Sequence, residues 1–240
     1  MNWVYGFFMA WGMFLAIPCP VKIWKEEARD RQLACFPLMG LIVGGGWILL
    51  ARLTPHLPAA LGAVCMAAWP WLASGFIHLD GYMDVCDAVL SRRDLETRQK
   101  ILKDSHCGAF AVICLGLLLA AQWSAFFSAE ILHWMPLLCI PVASRACGAI
   151  AVTLLPPMKS SQYDRLQKRG SVILPCLLLA ASLVLPAVLA GSFAPIVAAA
   201  GYWLCCWHGV RQLGGISGDI SGFSLTLGEF AGILILVLVG

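Results

Sequence analysis

Three of the chain's thirteen acidic residues, Asp80, Asp84 and Asp87, fall within eight positions, in the run His78-Leu79-Asp80-Gly81-Tyr82-Met83-Asp84-Val85-Cys86-Asp87. At about 100° per residue, offsets of four and seven return to within roughly 40° and 20° of the same direction, so one helical stripe carries all three carboxylates. Like charges on one stripe repel, and more so beside a low-dielectric bilayer. The simplest compensation is a divalent cation with oxygen ligands, Mg²⁺ or Mn²⁺. Helix N-terminal capping is the plainer alternative; it accounts for one aspartate but not for three in register. His78 is a candidate proton acceptor or an ordinary hydrogen-bonded interfacial histidine. Gly81 lets a ligand or another backbone approach closely.

A second constellation lies far along the chain, in Gly214-Gly215-Ile216-Ser217-Gly218-Asp219-Ile220-Ser221-Gly222. Glycine-rich backbone exposes N–H groups that can cradle phosphate oxygens, and it equally serves turns and close helix packing. A last helix starting near Ser217 puts Asp219, Gly222, Thr226 and Glu229 on one stripe. Glu229 then sits inside an apolar segment, where an acid is a functional candidate by default. Arg145 interrupts the apolar run 137–155 in the same way. It reads either as a bidentate phosphate grip or as an ion pair with Glu229 or one of the aspartates. The loop 91–106 follows the acidic run with Arg92, Arg93, Arg98, Lys100 and Lys103, then Asp104-Ser105. Basic residues there suit an anionic substrate; they are equally explained as a topology signal that attracts anionic lipid headgroups.

The elements that must position these groups follow from composition. The 240 residues are 60% hydrophobic and 12% charged. That is about half the charge of a soluble domain, too little to cover a water-facing surface, so the expected class is an all-α polytopic membrane helix bundle. At about 20 residues per span the length holds one bundle and no separate soluble domain, giving a single integral-membrane catalytic domain over 1–240. Apolar segments fall near 33–53, 57–77, 107–127, 132–155, 171–189, 193–210 and 224–239, which makes about seven spans. The acidic run follows directly on the segment 57–77, which places it at the end of a membrane helix. Segment 3–17 is too short to span and is expected as an interfacial or re-entrant helix. It has no basic n-region and no small-residue cleavage site, so it does not read as a cleaved signal.

Fourteen of the sixteen Lys and Arg residues lie in the connectors 22–31, 91–104, 156–169 and 211–219, which alternate with nearly uncharged ones. All the basic connectors then share one side, and the positive-inside rule makes that side cytoplasmic. The eleven cysteines are scattered without a CxxC pair and read as packing residues rather than zinc or redox ligands.

The run 78–87 resembles the H-x-D-G-x-x-D-x-x-D pattern of the cobalamin synthase family, the adenosylcobinamide-GDP ribazoletransferases. The resemblance extends along most of the chain. Phe36-Pro37-Leu38-Met39-Gly40 is similar to the family's FPL-x-G element and Leu102-Lys103-Asp104-Ser105 to its K/R-D-S element. Ser144-Arg145 resembles its S-R pair. Gly215-Ile216-Ser217-Gly218-Asp219 and Gly228-Glu229 resemble its G-x-x-G-D and G-E elements. Ala88 stands where the family usually has Gly, and Thr226 where it often has an acid.

The resemblance implies a bacterial inner-membrane transferase with its site on the cytoplasmic side. Its substrates would be adenosylcobinamide-GDP and α-ribazole or its 5′-phosphate, with release of GMP and Mg²⁺ as cofactor. Asp80, Asp84 and Asp87 are then the expected metal ligands, and these acids or His78 the catalytic groups. Gly81, Lys103, Asp104, Ser105, Arg145, Gly218, Asp219 and Glu229 are the expected substrate contacts. The expected partners are those substrates and membrane lipid, with no nucleic acid. Two rivals remain. A CDP-alcohol phosphatidyltransferase uses similar logic, but its A-R step and second acidic half are missing here. A cation or proton transporter would spread its acids across the bilayer rather than gather them at one end.

Overall fold

A computed structural model describes residues 2–130, 132–158 and 171–239. Eleven α-helices are present among them: α1 Asn2–Phe14, α2 Arg29–Ala34, α3 Phe36–Leu53, α4 Ala59–Ala73, α5 Ile77–Leu90, α6 Leu95–Ile101, α7 Ala109–Phe127, α8 Trp134–Leu154, α9 Ile173–Ala190, α10 Ala194–Leu213 and α11 Gly218–Val239. The described residues contain no strand; one isolated bridge joins Pro157 and Ile216. The basic residues Lys159, Arg165, Lys168 and Arg169 lie outside the described residues.

The all-helical expectation holds, and among the described residues fewer than seven helices have the length and apolarity of a span. Five helices, α3, α7, α8, α9 and α11, are long and apolar enough to cross a membrane; α4 and α5 make a sixth span if taken as one bent unit. Helix α10 has twenty residues but carries Tyr202, Trp203, Trp207, His208 and Arg211, and it is not among them. Helix α8 forms the centre and is buried along nearly its whole length. It packs between α3, α9, α10 and α11, and α10 and α11 pair closely. Helix α9 turns Leu177, Val184, Val188 and Leu189 outward, the apolar surface a lipid-facing helix keeps. Helix α1 is thirteen residues long, roughly 20 Å, too short to span. It rests on α2, where the Gln32 amide donates to the Met9 carbonyl at 3.1 Å.

The segment before the acidic run departs most from expectation. Helices α4 and α5 do not continue one another; they meet at 90°. With fifteen and fourteen residues, each is only about 20 Å long, less than the hydrocarbon core. The elbow is Ser74-Gly75-Phe76. Gly75 and Phe76 take φ of +60° and +64°. The left-handed region suits Gly75 and costs Phe76 roughly 1 kcal/mol or more. The Phe76 N–H returns to the Trp71 carbonyl at 2.8 Å, and the Ala16 N–H donates to the Ala73 carbonyl at 2.8 Å, tying the strand after α1 to the elbow.

Candidate active site

Two close backbone contacts build the site. A Cβ added to Gly81 would lie 2.8 Å from the Asp219 Cα, and one added to Gly222 would lie 3.0 Å from the His78 carbonyl oxygen. Helices α5 and α11 therefore cross backbone on backbone, which only small residues permit. The Thr226 hydroxyl closes the crossing by donating to the His78 carbonyl at 3.2 Å. This gives a structural use to the position where the family often has an acid. Helix α11 starts at Gly218, as the sequence suggested, with the Ser217 hydroxyl accepting from the Ile220 N–H at 3.2 Å.

The crossing joins the two acidic motifs. Asp84 feels the charge of Asp80 first, then Asp219, then Asp87, and Asp219 in turn feels Asp80. Asp80 is exposed; Asp84, Asp87 and Asp219 are half-buried. Among the described residues no Lys, Arg or His forms an ion pair with any of the four. Asp219 is therefore as much a member of the set as the stripe on α5. Asp87 stands somewhat apart, its carboxylate lying against Gly108 at the start of α7, where an added Cβ would meet it at 2.1 Å.

Among the described residues no three His, Cys, Asp or Glu side chains converge into a preformed metal cage. The helix rise explains this: seven residues separate Asp80 from Asp87 by about 10 Å along the axis. The donor set nevertheless fits a hard divalent ion. Mg²⁺ binds through one or two carboxylates, keeps several waters and takes further oxygens from substrate phosphates, so it needs no closed cage. The four carboxylate groups are all oxygen donors, and no described cation pairs with them.

Other expected residues lie elsewhere. His78 faces inward, 7% exposed, with its ring 5.7 Å from Phe36 and 6.5 Å from Phe14, and its Nε2 has no partner. It is not on the carboxylate face. Arg145 is fully buried, its Nη1 donating to Glu229 Oε1 at 2.5 Å and to the Pro141 carbonyl at 3.2 Å. The Ser144 hydroxyl donates to the same Glu229 oxygen at 2.8 Å. Arg145 and Glu229 are thus enclosed as a pair between α8 and α11, beneath the crossing rather than beside the aspartates. Arg145 Nε and Nη2 remain unpartnered.

Lys103, Asp104 and Ser105 are exposed between α6 and α7, in the loop that ends at Gly108 beside Asp87. Asp104 accepts from His106 at 2.6 Å, which holds the carboxyl below its ordinary range and raises the imidazole above its own. Helix α6 is capped by Asp94, which accepts from the Thr97 N–H at 3.0 Å. It docks on the end of α10 through Arg98 with Gln212 and through the Gln99 amide to the Leu213 carbonyl at 2.8 Å. The basic loop is thereby held near the start of α11. Gly218 is exposed there, while Gly81 is buried against α11.

The family model for cobalamin-5-phosphate synthase matches residues 6–237. An adenosylcobinamide-GDP ribazoletransferase of Clostridium botulinum strain Alaska E43 is 35% identical over 97% of this chain and 96% of its own. One of Clostridium perfringens strain 13 is 35% identical over 95% of each. One of Desulfitobacterium hafniense strain Y51 is 29% identical over 90% of this chain and 89% of its own. No solved structure matches the chain. The match spans every element that builds the crossing, from α1 through α11, and the chain belongs to the cobalamin-5-phosphate synthase family.

Proposed function

We propose that the chain is a membrane-bound transferase that joins adenosylcobinamide-GDP to α-ribazole or its 5′-phosphate and releases GMP. The observation that carries the reading is the crossing at Gly81 and Asp219, which gathers carboxylates that no described cation pairs with, along a helix leading into a basic loop. The family match and the names of the relatives support the choice of substrates. The reading places the site on the cytoplasmic side of a bacterial inner membrane, because the connector 91–104 that follows α5 is one of the basic ones.

In the reaction, a ribazole hydroxyl oxygen attacks the phosphorus on the cobinamide side of the diphosphate. A new P–O bond forms, the P–O bond to the GMP oxygen breaks, and the hydroxyl proton passes to a carboxylate. Asp80 is the natural acceptor among the acids, being the exposed one; His78 is turned away from that face. Asp80, Asp84 and Asp219, with Asp87 at the margin, would hold Mg²⁺, which when bound supplies neutralisation of the diphosphate charge. Lys103 and the Ser105 hydroxyl face the same solvent and would steady phosphate oxygens, and the exposed backbone at Gly218 offers a helix N-terminus to the same charge. Catalysis of this kind rests on positioning and charge rather than on a covalent protein intermediate.

The test is GMP release by detergent-purified protein given adenosylcobinamide-GDP and α-ribazole phosphate, with and without a chelator. Release that stops with chelator and returns with Mg²⁺ is expected. Release untouched by chelator removes the metal from the reading, and no release from a folded protein removes the activity.

A further inference from the structure

A cleft of about 510 Å³ opens at the α4–α5 elbow. Its walls include Met13 from the last turn of α1 and Ala16 just after it, then Gly75, Phe76 and Ile77 at the bend, and Asp80 on the first turn of α5. Among the described residues Asp80 is the one charged residue lining it. The Ser74 hydroxyl, also in the wall, is engaged with the Pro70 carbonyl at 2.7 Å and the Trp71 carbonyl at 3.3 Å. Phe76 is half exposed, held outward by its left-handed backbone instead of being packed into the core.

Helix α5 is therefore polarised along its length. At the elbow end the described lining of the cleft has Asp80 as its one charged side chain, with Asp219 nearby across Gly81 and Lys22 in the adjoining cleft that shares Met13, Leu15 and Ala16. At the other end lie Arg92 and Arg93, just past the helix, and the loop carrying Lys103, which closes on Asp87 through Gly108. The two substrates differ in the same sense. One carries a diphosphate. The other is a nucleoside whose benzimidazole base is flat, apolar and without N–H donors. A diphosphate in the elbow would meet a carboxylate and, among the described lining residues, no cation, an unfavourable juxtaposition. A guanine there would find Asp80 for its N–H groups but no free side-chain donor among the described lining residues for its O6 and N7. A benzimidazole needs neither, and a volume near 500 Å³ lies in the range of small-molecule sites.

We infer that the elbow cleft is the seat of α-ribazole, with its base against Met13, Ala16, Phe76 and Ile77 and its ribose toward Asp80. The inference rests on the transferase reading for its choice of ligand. It places the diphosphate of the other substrate over the acidic set, on the side toward the basic end of α5, within reach of the ribose hydroxyl. Phe76 and Ala16 are then residues that determine which lower-ligand base is accepted, while the acids and Lys103 are indifferent to it.

The test is equilibrium binding of α-ribazole to detergent-purified protein, read by the fluorescence of the benzimidazole and therefore independent of turnover. Ala16 is exposed, so Ala16→Phe fills the cleft without disturbing the core. Its affinity for α-ribazole is expected to fall at least tenfold, and Phe76→Gly, which removes the ring while relieving the backbone, is expected to weaken binding as well. In turnover, the KM for α-ribazole should rise in both variants while that for adenosylcobinamide-GDP stays within twofold. Wild-type protein that binds no α-ribazole, unchanged affinity in Ala16→Phe, as for a cleft that holds only lipid, or a rise confined to the KM for adenosylcobinamide-GDP would each overturn the assignment. Wild-type protein that binds α-ribazole in this cleft yet releases no GMP would instead count against the transferase reading alone.

Discussion

Helix α11 carries two acids ten residues apart on one stripe, and their surroundings are opposite. Asp219 lies half-exposed among Asp80, Asp84 and Asp87, with no basic partner among the described residues. Glu229 is 4% exposed and receives Arg145 Nη1 at 2.5 Å and the Ser144 hydroxyl at 2.8 Å. Burial of a charge is tolerated only with a partner, so the inner acid is balanced within the protein. The outer acids repel one another, and no described Lys, Arg or His forms an ion pair with them. The difference separates scaffold from site: a paired acid holds helices in register, and unpaired acids on the same helix await a ligand.

The sharpest way to break this comparison is Asp84→Asn. It removes one charge from the repelling set while keeping size and most hydrogen bonding. Transfer should fall by about 10³-fold, the scale of losing one preorganised electrostatic contact at a reacting centre. The variant should remain folded and membrane-inserted, and it should resist heat at least as well as the wild type, because a repulsion has been relieved. A fully active Asp84→Asn protein would take that residue out of the site.

The inner pair should respond the other way. Arg145→Gln leaves Glu229 charged and buried, which typically costs about 3–5 kcal/mol of stability. Thermal inactivation in detergent should move sharply downward. The double variant with Glu229→Gln removes both charges and should recover most of that loss. Were Arg145 instead a phosphate grip, the double variant would stay impaired and the KM for adenosylcobinamide-GDP would climb. A smaller effect is expected at the crossing. In Gly81→Ala the new methyl meets the Asp219 backbone at 2.8 Å, so α5 must move away from α11. A displacement near 1 Å at a reacting centre costs on the order of 10²-fold, and the loss should appear in kcat of folded protein.

Much of this was legible in the sequence because periodicity is local. The stripe Asp80, Asp84, Asp87 and the stripe Asp219, Gly222, Thr226, Glu229 follow from 3.6 residues per turn and need no tertiary knowledge. The start of α11 near Ser217 was readable from its capping residue. What could not be read is which stripe faces which. Nothing in the spacing says that Gly81 meets Asp219, or that Thr226 reaches the His78 carbonyl 148 positions away. The 90° elbow was hidden because segment 57–77 reads as one apolar run; Pro70 and Ser74-Gly75 were its signals, and Pro and Gly within a membrane segment are weak evidence of a break. His78 was misplaced by proximity in sequence. Two residues from Asp80, it lies about 200° around the helix, which turns it into the core beside Phe36.

The smallest effect is expected where an acid and a base meet in full solvent. The imidazole of His106 is 90% exposed and stands 2.6 Å from Asp104. The hydrogen bond and charge of Asp104 raise the His106 pKa, and those of His106 lower that of Asp104. The contact is therefore present between the two pKa values. It is lost as pH rises through the raised value of His106 and as pH falls through the lowered value of Asp104. Asp104→Asn should move the His106 titration midpoint, followed by NMR, back down toward the ordinary histidine range, with no measurable change in thermal stability, as for exposed pairs generally. Because Lys103 and Ser105 flank this carboxylate, the same midpoint reports on the loop: if substrate draws Asp104 away, adenosylcobinamide-GDP lowers the midpoint in the wild type and leaves it unmoved in Asp104→Asn. A midpoint that ignores both the substitution and the substrate would leave the loop a topology signal and confine the site to the α5–α11 crossing.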